Sequence, residues 1–225
     1  MNMNGSLLRE AIIKYVAGII LVGVLLFVPA WSLKWPNGWM LMVLLFVPML
    51  AAGILMYLKA PELLKSRLKA KETQQQQKDV ISYSGLMFLA AFIIAGLNWR
   101  LSWLSFSRQT VATGAVVFLL SYLMFGEVLR ENAFLSRTIE VRKDQKVVDT
   151  GLYGVVRHPM YTATIFLFLS MPMILSSPIS FVIMLVYIPL IVKRIRNEEE
   201  VLEKELKGYR EYKERIRYRL IPFIW

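Results

Sequence analysis

Six apolar stretches divide the sequence, at roughly Ala11 to Trp31, Trp39 to Leu58, Val80 to Leu97, Thr110 to Leu129, Tyr161 to Ser176 and Ile179 to Val192. The first four approach the ~20 residues that a helix needs to cross a hydrocarbon layer of about 30 Å. In lipid a backbone must satisfy its own hydrogen bonds within the segment, so each stretch is expected to be a helix and not a strand. The fold class is therefore all-α, a polytopic integral membrane protein with about six transmembrane helices. The last two stretches are short and are joined through Ser176-Ser177-Pro178, which predicts a tight helical hairpin. Ile179 to Val192 would rise only about 21 Å, so this helix is expected to run on into the aqueous region.

Charge tests the count of crossings. Of the 27 Lys and Arg residues, only Lys34, Arg100 and Arg108 fall on one side if six spans are drawn. The positive-inside rule then places both termini in the cytoplasm, in a cell inner membrane or an endoplasmic reticulum. A formal net charge of +11 could also suit nucleic acid, but a 56% hydrophobic chain cut into membrane-length runs leaves no soluble basic face for it. The absence of Cys excludes disulfides and thiolate chemistry, and a single His argues against a zinc or di-iron centre, so no metal site is expected. Trp31, Trp35, Trp39, Trp99 and Trp103 fit interfacial aromatic belts, and Gln74 to Gln77 reads as a polar loop. Residues 1–130 are expected to form four scaffold helices that help to define substrate choice. Residues 131–225 hold the larger polar pieces around the 161–192 hairpin and the carboxy-terminal helix, where chemistry is expected.

The only histidine lies in GLYGVVRHPMY, Gly151 to Tyr161. Proline is favoured at the first position of a helix and holds the preceding residue extended, so His158 should cap the fifth span. Arg157 and His158 then stand at a helix N-terminus, where exposed N–H groups and the helix dipole favour an anion. An interfacial Arg-His pair that merely ends a span explains the same residues. On the last apolar helix, a stripe through Ile191, Ile195, Leu202, Leu206 and Tyr209 is interrupted at position 198 or 199, and both are Glu. Arg194 lies four residues before Glu198 on the same face. An ordinary surface ion pair is the plainer account of that spacing. Basic residues from Arg210 to Arg219 are suited to the headgroups of membrane lipids, and Tyr209, Tyr212 and Tyr218 to packing or interfacial anchoring.

Gly-x-Tyr-x-x-x-Arg-His-Pro-x-Tyr, then Arg-x-x-x-Glu-Glu, Gly-Tyr-x-x-Tyr and Arg-Leu-Ile-Pro, together resemble the isoprenylcysteine carboxyl methyltransferase family of integral membrane enzymes. The resemblance spans about Gln145 to Trp225. It implies S-adenosyl-L-methionine as cofactor, bound from the cytoplasmic side, and a lipophilic or lipid-modified substrate entering from the bilayer. Cofactor contacts are implied at Gln145, Lys146, Val147, Val148, Tyr153, Arg157, His158, Pro159, Met160, Tyr161 and Glu199; the family often has a histidine where Gln145 stands. Arg194 and Glu198 match the pair assigned to the substrate carboxylate and the catalytic site.

That chemistry makes physical demands these residues can meet. A carboxylate acceptor is ionised at neutral pH and needs alignment more than a base, which an Arg194 held by Glu198 would supply. An amine acceptor, as in phospholipid-type N-methyltransferases, would need a base, and Glu198 is the candidate. Two further functions fit the sequence: an NADPH-dependent membrane sterol or lipid reductase with a similar RHPxY arrangement, and a non-catalytic membrane scaffold.

Overall fold

The computed structural model describes residues 3–68, 75–132, 141 and 145–225. The described residues are helical throughout their regular structure: α1 Met3–Ala30, α2 Pro36–Lys59, α3 Pro61–Leu68, α4 Gln75–Leu101, α5 Arg108–Glu131, α6 Pro159–Ile174, α7 Pro178–Met184, α8 Tyr187–Glu205 and α9 Tyr209–Arg215, with a 3-10 turn at Gly151–Gly154. Five helical runs are long and apolar enough to span a membrane: within α1, α2, α4, α5, and α7 with α8 together. The fifth apolar stretch, on α6, is shorter at 16 residues. All six stretches expected from the sequence thus lie on helices. Lys69, Lys71, Arg137, Arg142 and Lys143, counted among the cytoplasmic charges, lie outside the described residues.

Local chemistry sets the helix starts. Pro36, Pro61, Pro159 and Pro178 open α2, α3, α6 and α7, where the missing N–H costs nothing. Ser107 caps α5, its hydroxyl accepting from the Thr110 amide at 3.1 Å. The hairpin turn forms where expected, with Ser176 in a left-handed conformation at φ 54°. The last span is not one unbroken helix, because turns at Leu185 and Val186 separate α7 from α8. Gln75, Gln76 and Gln77 already belong to α4 and not to a loop, while Gln74 lies outside the described residues.

Helix α6 packs along α5, and α4 lies against α1, α7 and α8. The α5–α6 approach depends on space at Gly114, where a Cβ would come 2.7 Å from that of Met173. The core collects Leu26, Trp35, Leu41, Phe118, Ile174, Met184 and Ile195, all fully buried. Ile13, Ile20, Val24 and Val28 of α1 instead point outward, a density of exposed aliphatic surface suited to lipid and not to water. Trp35 departs from the belt expectation. It is 0% exposed, stacked on Trp99 at 5.9 Å between centroids, and belongs to the core.

Candidate functional site

Glu199 is the carboxylate that occupies the apolar stripe of α8. Tyr187, Ile191, Ile195 and Glu199 are the buried residues of that helix, each four positions after the last. Its Oε1 accepts from Arg157 Nε at 2.8 Å and lies 3.2 Å from His158 Nε2, and its Oε2 accepts from Arg219 Nε at 2.9 Å. Glu199 and Arg157 are nearly inaccessible, at 3% and 5% exposure. Removing such charges from water costs several kcal/mol per ion unless pairing and hydrogen bonds offset it, and here each oxygen is engaged.

The same cluster fastens the tail of the chain. Arg157 Nη1 donates to the carbonyls of Ile216 at 2.6 Å and Arg217 at 2.8 Å. The amides of Arg157 and His158 donate to the carbonyls of Tyr218 and Arg219, each at 2.9 Å. Thr162 Oγ1 donates to Leu220 O at 2.7 Å. His158 is the N-cap residue of α6 and Pro159 its first residue, in agreement with the spacing argument. The negative charge nearest that helix start is the Glu199 carboxylate. Arg219, expected among the lipid-facing basic residues, instead holds Glu199, and the tail carbonyls were not anticipated from the sequence. Their only signal was the Arg-Leu-Ile-Pro motif, which carries no information about a contact reaching back to residue 157.

One turn away, Tyr161 stands between Arg194 and Glu198. Its hydroxyl donates to Glu198 Oε2 at 2.5 Å and accepts from Arg194 Nε at 2.8 Å. The guanidinium also approaches the Tyr161 ring, 6.0 Å from its centroid. Arg194 and Glu198 therefore share a site as their four-residue spacing suggested, with a phenol from α6 linking them. This relay forms the polar end of a cleft of about 490 Å³ bounded by α4, α5, α6, α8 and the end of α3. Val80, Phe88, Phe125, Leu167, Phe168 and Ile191 make its walls apolar, and Met160 contributes beside Tyr161. Ile81 at its rim is exposed, so the cleft communicates with the outer surface of the helices.

The segment before α6 packs against the carboxy-terminal part of the chain. Gln145, Lys146, Val147 and Val148 have no regular secondary structure; Lys146 is exposed, and Val147 packs on the cluster of Leu206, Tyr209 and Tyr212. Helix α8 stops at Glu205, and Gly208 turns the chain at φ 86°, so Tyr209 opens α9 and does not continue the α8 stripe. Tyr153 is buried; its hydroxyl accepts from Asn132 Nδ2 at 3.1 Å and its carbonyl from Tyr212 Oη at 2.8 Å. Burial pushes the Tyr153 phenol up to about 12. Gly151 is required at the preceding turn: it has φ 50°, and a Cβ there would collide with the Glu131 carboxylate, whose Oε2 accepts from the Leu152 amide at 3.0 Å. Tyr209 Oη is buried with no hydrogen-bond partner among the described residues. Its phenol is raised by burial and by the nearby charges of Glu199 and Glu198. No group of three or more metal-ligating side chains occurs among the described residues.

Membrane-length helices, an apolar cleft between them and a buried ionic network one turn from its polar end define a polytopic helical membrane protein with a ligand-sized site. Residues 112–204 match the model of the Isoprenylcysteine carboxyl methyltransferase (ICMT) family. The chain is 32% identical over 91 residues to the Delta(14)-sterol reductase TM7SF2 of Mus musculus, covering 39% of this chain. It spans only 22% of that curated relative's length. A solved structure of the eukaryotic intramembrane Ras methyltransferase ICMT is similar at 16% identity with a TM-score of 0.49, over 100% of this chain and 88% of that one.

Proposed function

We propose that the protein is a membrane-embedded methyltransferase that uses S-adenosyl-L-methionine and methylates a carboxylate on an amphiphilic acceptor. The observation that carries this reading is the Arg194–Tyr161–Glu198 relay at the polar end of an apolar cleft, within the family match. An acceptor lying in the cleft would place its chain along Phe88, Phe125 and Phe168 and its carboxylate at Arg194. Tyr161 and Glu198 hold the guanidinium in one orientation, which is the contribution such a reaction asks of a protein.

The residues fit the cofactor in a specific respect. Val147, from the segment expected to contact it, packs on the cluster containing Tyr209, whose buried hydroxyl has no partner among the described residues and would gain one from a polar ligand. Gln145 to Val148, Tyr153 and the run His158 to Met160 would hold the cofactor, with Arg157 and Glu199 fixing that run from behind, while Tyr161, a cofactor contact by the resemblance, serves the acceptor through Arg194. When bound, S-adenosyl-L-methionine supplies a methyl group already activated on a sulfonium. The protein's part is then to align acceptor and methyl carbon and to exclude water. The cytoplasmic placement of this end rests on the distribution of Lys and Arg.

A reductase using NADPH is the second reading, favoured by the 91-residue likeness to a sterol reductase. Titration calorimetry of the full chain in detergent separates the two. Micromolar binding of S-adenosyl-L-methionine and S-adenosylhomocysteine is expected; NADPH binding with no response to either would overturn the proposal.

A further inference from the structure

At the end of the helices opposite the relay, the turns α1–α2, α4–α5 and α6–α7 come together without an acid. No Asp or Glu occurs between Glu10 and Glu62, between Asp79 and Glu127 or between Asp149 and Glu198, the intervals that contain those turns. Their cations are Lys34, Arg100 and Arg108. The Arg100 guanidinium lies over the Trp31 ring, 5.6 Å from its centre. That of Arg108 makes no hydrogen bond, ion pair or ring contact among the described residues.

Arg108 lines a pocket of about 400 Å³ together with Trp35, Trp99, Trp103, Leu104 and Ser105. The pocket shares no lining residue with the cleft. Tyr161 stands in the first turn of α6 and Leu175, at the far end of that helix, lines the pocket, so relay and pocket lie about 21 Å apart along it. Arg108 also opens α5, where the Ser107 hydroxyl is engaged by the Thr110 amide and the helix dipole presents its positive end.

Any capped helix offers that much, and Trp35 adds an independent observation. It forms the pocket floor at 0% exposure, and its Nε1 has no hydrogen-bond partner among the described residues. The neighbouring Trp39 Nε1, by contrast, donates to Leu33 O at 2.8 Å. The Cε3 edge of Trp35 faces Gly38, so Nε1, on the other edge of the indole, turns away from α2. An indole N–H only donates, and leaving it buried and unpaired is destabilising unless an acceptor arrives.

We infer that this pocket is a second ligand site, and that it takes the phosphate of an anionic membrane phospholipid. The Arg108 guanidinium and the start of α5 hold the phosphate, and the Trp35 N–H donates to one of its oxygens. Trp99, Trp103 and Leu104 are all exposed and give the rim an apolar surface, which suits a headgroup at the membrane boundary and not a free ion. With no carboxylate in these turns, nothing answers a headgroup ammonium, so phosphatidylglycerol is preferred to phosphatidylcholine.

The test adds dioleoylphosphatidylglycerol, dioleoylphosphatidylcholine or inorganic phosphate to the full chain in nonionic detergent, and reads Tm and, by native mass spectrometry, retained lipid. Phosphatidylglycerol is expected to raise Tm and to bind about tenfold more tightly than phosphatidylcholine, as one charge-assisted hydrogen bond allows. Inorganic phosphate is expected to leave Tm unchanged. Arg108→Gln should abolish the preference without lowering the lipid-free Tm, and Arg108→Lys should keep most of it. Trp35→Phe, which keeps a ring against Trp99 but deletes the N–H, should weaken phosphatidylglycerol binding. Arg100→Gln, at the same end but outside the pocket, should leave the preference intact. Equal binding of the two lipids, stabilisation by inorganic phosphate alone, or a preference that survives Arg108→Gln would overturn the inference. So would undiminished phosphatidylglycerol binding in a folded Trp35→Phe, or a loss in Arg100→Gln equal to that in Arg108→Gln, which would mean diffuse attraction to a basic end. Arg108 is exposed, so its variants decide the matter even where Trp35→Phe does not fold. Donor binding should be the same in all of them, which separates this site from the methyl-transfer reading.

Discussion

Helix α1 is a membrane-length run by itself and helix α8 forms one together with α7, yet the two use their side chains in opposite ways. Along α1, Ile12, Ile13, Ile20, Leu21, Val24 and Val28 are exposed, so one face packs and much of the rest meets lipid. Along α8, Ile191 and Ile195 are buried and are followed at the next position of the same stripe by Glu199, equally buried and held by Arg157, Arg219 and the His158 ring. The difference shows where precision resides. A lipid-facing helix tolerates any apolar side chain of suitable size, whereas a buried carboxylate is stable only while each partner stays in place.

Removing Glu199 should break the second arrangement outright. Glu199→Ala leaves Arg157 and Arg219 facing an empty position and is expected to cost about 3–5 kcal/mol. The loss would register as a lower Tm and as early proteolysis of the tail from residue 216, whose Ile216 and Arg217 carbonyls accept from Arg157. A smaller and more selective effect is expected from Arg194→Lys, which keeps the charge but loses the planar fork. Turnover should fall by roughly two orders of magnitude, about 2.7 kcal/mol, with donor affinity nearly unchanged. Equal loss of both in a folded variant would make Arg194 a cofactor or structural residue. Tyr212→Phe, which deletes the bond to the Tyr153 carbonyl, should lower stability by about 1 kcal/mol in a denaturation titration.

Alkaline pH probes the same region more gently. Tyr153 has a folded-state pKa raised to about 12 against an ordinary 10, so its neutral form is favoured by the fold. That stability is fully present below pH 10 and is lost as pH rises through 12; Tm should therefore decline across this window. Ile20→Ala, at a position 59% exposed on α1, should change Tm least, within the ~0.5 kcal/mol typical of uncoupled surface sites. A destabilisation by Ile20→Ala as large as that by Glu199→Ala would erase the contrast between the two helices.

Much of this arrangement was legible in the sequence because membrane helices obey local rules. Run length located the six apolar helices, and the Pro159 rule placed His158 at the start of α6. Helical periodicity showed that a carboxylate interrupts the α8 stripe but could not choose between Glu198 and Glu199, since both lie within one residue of the expected angle. Packing chooses: Glu199 turns inward to Arg157, and Glu198 turns to Tyr161. Contacts between segments distant in sequence were not legible. The tail's hold on Arg157 spans about sixty positions, and the burial of Trp35 depends on Trp99 approaching from α4. Composition alone makes an indole near a helix end look interfacial. The Gln run failed for a related reason, because polarity suggests a loop while glutamine remains a good helix former.

The account turns on the relay of Arg194, Tyr161 and Glu198 acting on the acceptor and not on the donor. Its most direct test is transfer of an isotopically labelled methyl group from S-adenosyl-L-methionine to an amphiphilic carboxylate, followed by mass spectrometry in wild type and Tyr161→Phe. The account predicts labelled ester from the wild type, and from Tyr161→Phe a turnover reduced about tenfold or more with donor affinity by calorimetry unchanged. Undiminished turnover in Tyr161→Phe, or a loss of donor affinity equal to the loss of turnover, would contradict it.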